Sequence, residues 1–167
     1  MEEFFDVVDD DDNAMGRASR KECHKRGLIH RSVMFFVFDK DSRVLVNRRT
    51  KDKDFFPGYW SVALGGHVHS GERYDDAIGR EIDEETGITA RPFRMASYKK
   101  RIPEEKENVV VYGVIADRKP KLDPAEIEEG AFMTPEGVEK AVKERKFLPE
   151  TGRLLGILKE WRAGQGG

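Results

Sequence analysis

A chain of 167 residues with 37% charged side chains and a formal net charge of -2 can bury a core, but its charge is too balanced to draw it as a whole to nucleic acid or an anionic membrane. No apolar run reaches the length of a membrane span, and the acidic start MEEFFDVVDDDD is unlike a secretory leader. The single Cys23 excludes an intramolecular disulfide, so the expectation is a soluble cytoplasmic domain over residues 1–163 with a loose tail at 164–167.

FFDVVD (4–9) alternates as a strand does, and the Asp, Asn and Gly of DDDNAMG mark a turn after it. The run Asp9–Asp12 reads as that solvated turn rather than as a cation site. SRKE (19–22) is a capping-box pattern opening a short helix to about Lys25, which Gly27 ends. SVMFFVF (32–38) is a continuous apolar run, hence a strand buried on both faces. DKDSR turns the chain, and VLVNRR (44–49) is expected to return as its hairpin partner. Pro57-Gly58 breaks the chain before a short buried strand that runs up to Gly65 and Gly66.

A helix over about 74–86 stops at Gly87, a C′ glycine. Two strands follow, FRMASYKKR (93–101) and VVVYGVIAD (109–117). GAFMT (130–134) leads into a helix with Pro135 near its first turn, and a last helix carries apolar residues at 154, 155, 157, 158 and 161. Strands interspersed with helices on a mixed sheet give the α/β class and an α/β/α sandwich.

The chemistry concentrates in GGHVHSGERYDDAIGREIDEETGI (65–88). Glu81, Glu84 and Glu85 stand at i, i+3 and i+4, so their carboxylates share one helix face. Like charges so placed destabilise a helix by roughly 0.2–0.5 kcal/mol per pair, and a divalent cation reverses that sign. Mg2+ takes oxygen ligands and commonly bridges one or two carboxylates to substrate phosphates. Arg80 can orient a glutamate through a forked hydrogen bond, and Glu72, eight residues earlier, can pair with it across a folded-back loop. Gly65 and Gly66 let the backbone approach a ligand or offer a carbonyl to a metal. Each glutamate alone is an ordinary surface residue; together they point to a site for divalent metal and pyrophosphate. Phe55, Phe56, Tyr59 and Trp60 offer faces for a nucleobase, although Trp60 equally suits the core at a sheet edge. Arg48 and Arg49 alternate faces, so only one can point into a site.

Gly66, Glu72 and the run Arg80-Glu81-Ile82-Asp83-Glu84-Glu85-Thr86-Gly87-Ile88 look like a complete Nudix box, and the order of elements resembles a Nudix fold over nearly the whole chain. The resemblance implies hydrolysis of a nucleoside diphosphate linked to some moiety X, with Mg2+ or Mn2+ as cofactor. By position, Glu84 and Glu85 would be metal ligands, Glu81 a ligand or general base oriented by Arg80, and Glu72 a support for the loop. Gly66 would add its carbonyl to the metal. The chemistry is attack of water on phosphorus, with a cation neutralising the diphosphate and a carboxylate taking the proton. In the family the base can instead lie on a later loop, where Glu126, Glu128 and Glu129 are available. The implied partner is a small-molecule diphosphate; a homodimer is the default assembly for a small soluble enzyme.

Outside the box, GRASRKECHKRGLIHR, NRRTKDKDFFPGYWS and GGHVHSGE are similar to isopentenyl-diphosphate isomerases, a divergent branch of the same superfamily. That resemblance puts His24, His30 and His67 where those enzymes bind a metal, which here would be a second ion, and Arg49, Lys53 and Arg20 where basic residues hold the substrate diphosphate. A histidine before a buried strand, as His30 is, ordinarily serves a structural hydrogen bond. The isomerases work on carbon with a cysteine and a pair of glutamates. Here the cysteine position is Gly65, and the glutamate positions align with Asn108 and Val110. The expected activity is therefore a hydrolase on an isomerase-like scaffold, with a prenyl-diphosphate isomerase and a non-catalytic nucleotide-binding sensor as competing readings. Pro103, fifteen residues beyond Ile88, matches a spacing seen in ADP-ribose pyrophosphatases, and a proline there also simply shapes a turn.

Overall fold

The computed structural model describes residues 1–165. In chain order its first elements are β1 (Phe4–Val8), β2 (Ala14–Ser19), α1 (Arg20–Arg26), β3 (His30–Phe38), β4 (Val44–Arg49), β5 (Trp60–Ser61) and β6 (Leu64–His67). They are followed by α2 (Tyr74–Thr86), β7 (Phe93–Arg101), β8 (Lys106–Ile115), β9 (Ile127–Met133), α3 (Pro135–Glu144) and α4 (Thr151–Gln165). Helix α4 therefore takes in residues 164 and 165 of the tail expected to be loose, and residues 166 and 167 lie outside the described range.

The main sheet runs β5-β4-β3-β8-β7, with β6 also on β3 and β9 also on β4. Strand β3 pairs in parallel with β8 from His30↔Glu107 to Phe38↔Ile115, and β7 lies antiparallel on the far side of β8. The apolar run of β3 is continuous because both faces are covered. On one face Val33, Phe35, Val110 and Tyr112 pack against Ala77, Ile78 and Ile82 of α2. On the other, Phe36, Phe38, Val109 and Val111 pack against Val138 of α3 and Leu154 and Leu158 of α4. This is the mixed-sheet α/β/α sandwich that the sequence implies.

The expected hairpin between β3 and β4 survives only at its base, Phe38↔Val44. Strand β6 takes the edge of β3 from Ser32 to Phe35, and β4 diverges to pair with β5 and β9. The glycines of the box are thereby fixed in the sheet, with Gly66 opposite Val33 and Gly65 opposite Met34.

The N-terminal region also departs from expectation. Its turn is followed by a strand, β2, that closes a two-stranded sheet with β1 over a small core of Phe5, Ala18 and Cys23. Ser19 caps α1 by accepting from Glu22 N (3.1 Å), and Gly27 ends the helix at φ 65°. Glu22 pairs with Arg26 (2.8 Å), so its side chain is engaged along the helix rather than back at the cap. The acidic turn is solvated at Asp10 and Asp11, as expected, but Asp12 is anchored. Asp12 accepts hydrogen bonds from Arg31 Nε (3.1 Å), the Tyr74 hydroxyl (3.0 Å) and Asn108 Nδ2 (3.1 Å), tying the hairpin to β3, α2 and β8. Among the described residues no helix is long and apolar enough to cross a membrane.

Candidate metal and diphosphate site

The apolar positions Ala77, Ile78 and Ile82 seat α2 on the sheet and bury Glu81 and Glu85 with them. Arg80 gathers the neighbouring carboxylates. Its Nε and Nη2 donate to the two oxygens of Glu72 (2.8 and 3.0 Å), and Nη1 donates to Glu81 (2.7 Å) and Glu84 (3.4 Å). Nη2 also donates to the His67 carbonyl (3.0 Å), fastening the helix to β6. The Glu81 carboxylate rests against the bare backbone of Gly66, where a Cβ would lie 2.2 Å from Glu81 Cδ, so a side chain at 66 would push the carboxylate out of this position.

The electrostatics match a cation-binding donor set. Burial lifts the Glu81 carboxyl above its ordinary range, against the opposing pull of Arg80. Burial, followed by the charges of Glu81 and Glu126, pushes Glu85 up to about 8. Glu72 goes the other way, since Arg80 outweighs its burial and holds it low. Buried anions facing one another are costly until a cation joins them, so the residues present fit a hard divalent ion. A pH dependence follows. The folded chain keeps the Glu85 proton between about 4.5 and 8, where the unfolded chain has lost it, so metal-free stability falls as pH rises across that window. Urea unfolding of the wild type minus that of Glu85→Gln should display this fall, and 10 mM Mg2+ (about that order, chosen for saturation) should remove it. A flat difference across the window would refute the burial argument.

The glutamates open onto a cavity of about 580 Å3. Glu81, Glu84, Glu85, Gly66 and His67 line one side, and Arg20, Arg49 and Lys53 also face it. Arg49 is the arginine that points in; Arg48 turns out to Glu128 (2.6 Å). That pairing also takes Glu128 away from the site, and of the three later glutamates it is Glu126 that lines the cavity. Phe55 and Phe56 border it, whereas Trp60 turns to Phe147 and lies under Arg145 (4.3 Å from guanidinium to ring centroid). Pro103 sits in the tight β7–β8 turn, closed by Ile102 N to Glu105 O (3.0 Å).

His24 and His30 converge on His67, the one of the three that lines the cavity. His24 Nδ1 bonds the Arg20 carbonyl (2.9 Å) and His30 Nδ1 the Leu28 carbonyl (3.0 Å), which fixes the Nδ1–H tautomer in both. Their Nε2 atoms are left buried and unpartnered. Candidate ligand atoms of His24, His30 and His67 lie within 4.8 Å of one another, as do those of His67, Glu105 and Glu107. Glu107 Oε1 stands 3.3 Å from His67 Nε2 and 3.7 Å from His30 Nε2, and its other oxygen accepts from Ser32 Oγ (2.6 Å). Burial keeps His24 and His30 below their usual value, hence neutral, while His67 and Lys100 hold Glu107 well below the carboxylate range despite its burial.

The alignment of Asn108 and Val110 with the isomerase glutamates is thereby corrected. Asn108 turns away to Asp9 and Asp12, and Val110 is in the core under α2. Glu107 lies beside His30 in the parallel register, and with side chains alternating faces a slip of one residue points to the wrong side. Glu105 and Glu107 were the carboxylates the sequence reading missed; their signal was the acidic EEKEN itself, uninterpretable until the turn at 102–105 fixes the register.

Comparison with known proteins agrees with this geometry. The NUDIX domain model matches residues 28–151. The uncharacterized Nudix hydrolase PA4841 of Pseudomonas aeruginosa is 35% identical over 150 residues, spanning 88% of this chain and 86% of that protein. A Serratia proteamaculans protein named isopentenyl-diphosphate Delta-isomerase is 34% identical over 172 residues, spanning 99% and 94%. In fold, the crystal structure of DR0079 from Deinococcus radiodurans superposes with a TM-score of 0.77 at 24% identity, covering 95% of this chain and 98% of that one. With the box residues gathered around one cavity and the family match spanning most of the sheet and α2, the chain belongs to the Nudix family.

Proposed function

We propose that the protein hydrolyses the diphosphate bridge of a nucleotide-type substrate, a nucleoside diphosphate linked to a polar group such as the ribose of ADP-ribose, with Mg2+ or Mn2+ at Glu81, Glu84, Glu85 and the Gly66 carbonyl. The observation that carries this over prenyl chemistry is at Gly65. A Cβ there would meet Met34 Sδ at 2.4 Å and the Val33 carbonyl oxygen at 2.5 Å, so the position where isomerases hold their cysteine is closed to any side chain. The far wall argues the same way. Lys100, Glu105, Glu107 and Glu150 face the cavity, and a hydrocarbon tail would be buried against polar side chains instead of apolar ones. Phe55 and Phe56 supply aromatic surface for a base.

The cation would neutralise the diphosphate oxygens and acidify the attacking water. Arg80 holds Glu81 and Glu84 in place, and Arg20, Arg49 and Lys53 are positioned to take the non-bridging oxygens. Glu81, pinned between Arg80 and Gly66, suits a ligand's role, which leaves Glu126 as the base among the later glutamates.

We further assign His24, His30, His67, Glu105 and Glu107 to a second divalent ion, of the kind that accepts mixed nitrogen and oxygen donors, Mn2+ or Zn2+. The two orphaned Nε2 atoms support it. Elemental analysis of the purified protein should find a metal that is lost in a His24→Ala, His30→Ala, His67→Ala triple variant while its Mg2+-induced thermal shift persists. Unchanged metal content in that variant rules the second ion out.

This histidine and glutamate set also favours the isomerase as a second reading. A panel of ADP-ribose, NADH, dinucleoside polyphosphates, nucleotide sugars, coenzyme A, nucleoside triphosphates and prenyl diphosphates separates the two. Cleavage of a nucleotide diphosphate with Mg2+ is expected. Conversion of isopentenyl to dimethylallyl diphosphate as the sole reaction would overturn the proposal, and tight binding without cleavage would indicate a sensor.

A further inference from the structure

The basic side chains that face the glutamates all have internal partners. Arg20 Nη1 donates to Asp54 (3.2 Å), Arg49 Nη2 to the Phe55 carbonyl (3.0 Å), and the Lys53 ammonium is paired with the Glu126 carboxylate. The last pair joins the loop after β4 to the loop before β9. Thr50 adds a backbone bond to the Glu126 carbonyl (3.2 Å) and a hydroxyl bond to the Ala125 carbonyl (3.4 Å). The two loops are thus held together independently of the ion pair, so opening the pair need not separate them. All three partners line the cavity, and Glu126 is the one whose charge is felt at Glu85. Both members of the pair remain partly exposed, 25% and 39%, so the pair is weak and easily exchanged.

We propose that the Lys53–Glu126 ion pair is a placeholder displaced by the substrate's diphosphate, so that binding occupies Lys53 and releases the Glu126 carboxylate to the attacking water. The inference rests on the hydrolase reading for its chemical step. A diphosphate carries more charge than one carboxylate and outcompetes it for the ammonium. Glu126, left without its cation, has the oxygen that Lys53 had occupied free to accept a hydrogen bond from water in the cavity. The water oxygen bonds to phosphorus as its proton passes to a Glu126 oxygen. The bridging P–O bond breaks with its electron pair on the leaving phosphate, and the proton is then shed to solvent. Without substrate the base is occupied, which couples activation of water to the presence of a diphosphate.

A double-mutant cycle of Lys53→Met and Glu126→Gln decides it, read by calorimetric binding of magnesium pyrophosphate and by kcat and KM on the substrate found in the panel. Glu126→Gln is expected to bind pyrophosphate ~3-fold more tightly, the worth of a partly exposed ion pair, while kcat drops ~10²-fold or more. Lys53→Met weakens pyrophosphate binding, and in that background Glu126→Gln no longer tightens it. Tightening that persists without Lys53 would mean general charge repulsion and would overturn the placeholder, as would unchanged affinity in Glu126→Gln alone. Wild-type kcat in Glu126→Gln would overturn its role as base. Should the whole panel go uncleaved, the hydrolase reading fails, and the pyrophosphate cycle still decides the ion pair by itself.

Discussion

Glu85→Gln is expected to lower turnover by about 10³-fold or more while leaving the metal-free fold as stable as the wild type or more stable. The two effects have opposite signs for one reason. Glu85 is buried beside Glu81, and its carboxyl is raised to about 8, so above that pH the apo protein holds a charge its surroundings disfavour. Glutamine has the shape of the protonated acid and carries no such charge, yet it is a poor ligand for a hard cation. The measurements are kcat/KM, circular dichroism, and the thermal shift on adding Mg2+, which should shrink or vanish in the variant. A variant that kept a tenth of wild-type activity would remove Glu85 from the ligand set.

Arg80→Ala should be the most damaging single change to the fold at this site, costing about 3–5 kcal/mol in urea unfolding. The guanidinium is 23% exposed and satisfies Glu72 at both oxygens, Glu81 at one, and the His67 carbonyl. Its removal leaves two largely buried carboxylates without their cation and detaches α2 from β6. Arg80→Lys restores the charge but cannot present the fork, so it should recover part of the stability and little of the turnover. A loss below about 1 kcal/mol for Arg80→Ala would place it among ordinary surface ion pairs.

Much of the site was legible because its geometry is local. Glu81, Glu84 and Glu85 lie within two turns of one helix, and Glu72 reaches Arg80 within a single loop. What the sequence hid depends on partners far along the chain. Strand β2 was read as turn because AMGRAS lacks an apolar face, and only Ala18 is buried. The hairpin of β3 and β4 is antiparallel as expected, but it is short because β6, some twenty residues downstream, takes the rest of the β3 edge, and LGGH has little strand character to announce it. Glu105 and Glu107 were overlooked because the face a residue occupies on β8 depends on a register that no local pattern fixes. The choice among Glu126, Glu128 and Glu129 needed Arg48, eighty residues from Glu128, to be seen taking one of them out of contention.

The tight seam at Gly65 sets the terms for placing a thiol there. Met34 and the main chain of Val33 leave no room for even a methyl group without a shift of β3 against β6. A cysteine at 65 alone would have to force the two strands apart, whereas one accompanied by a smaller residue at 34 would still meet the Val33 carbonyl but lose the sulfur clash. Chemistry at this position is therefore tied to the bulk of its neighbour across the sheet.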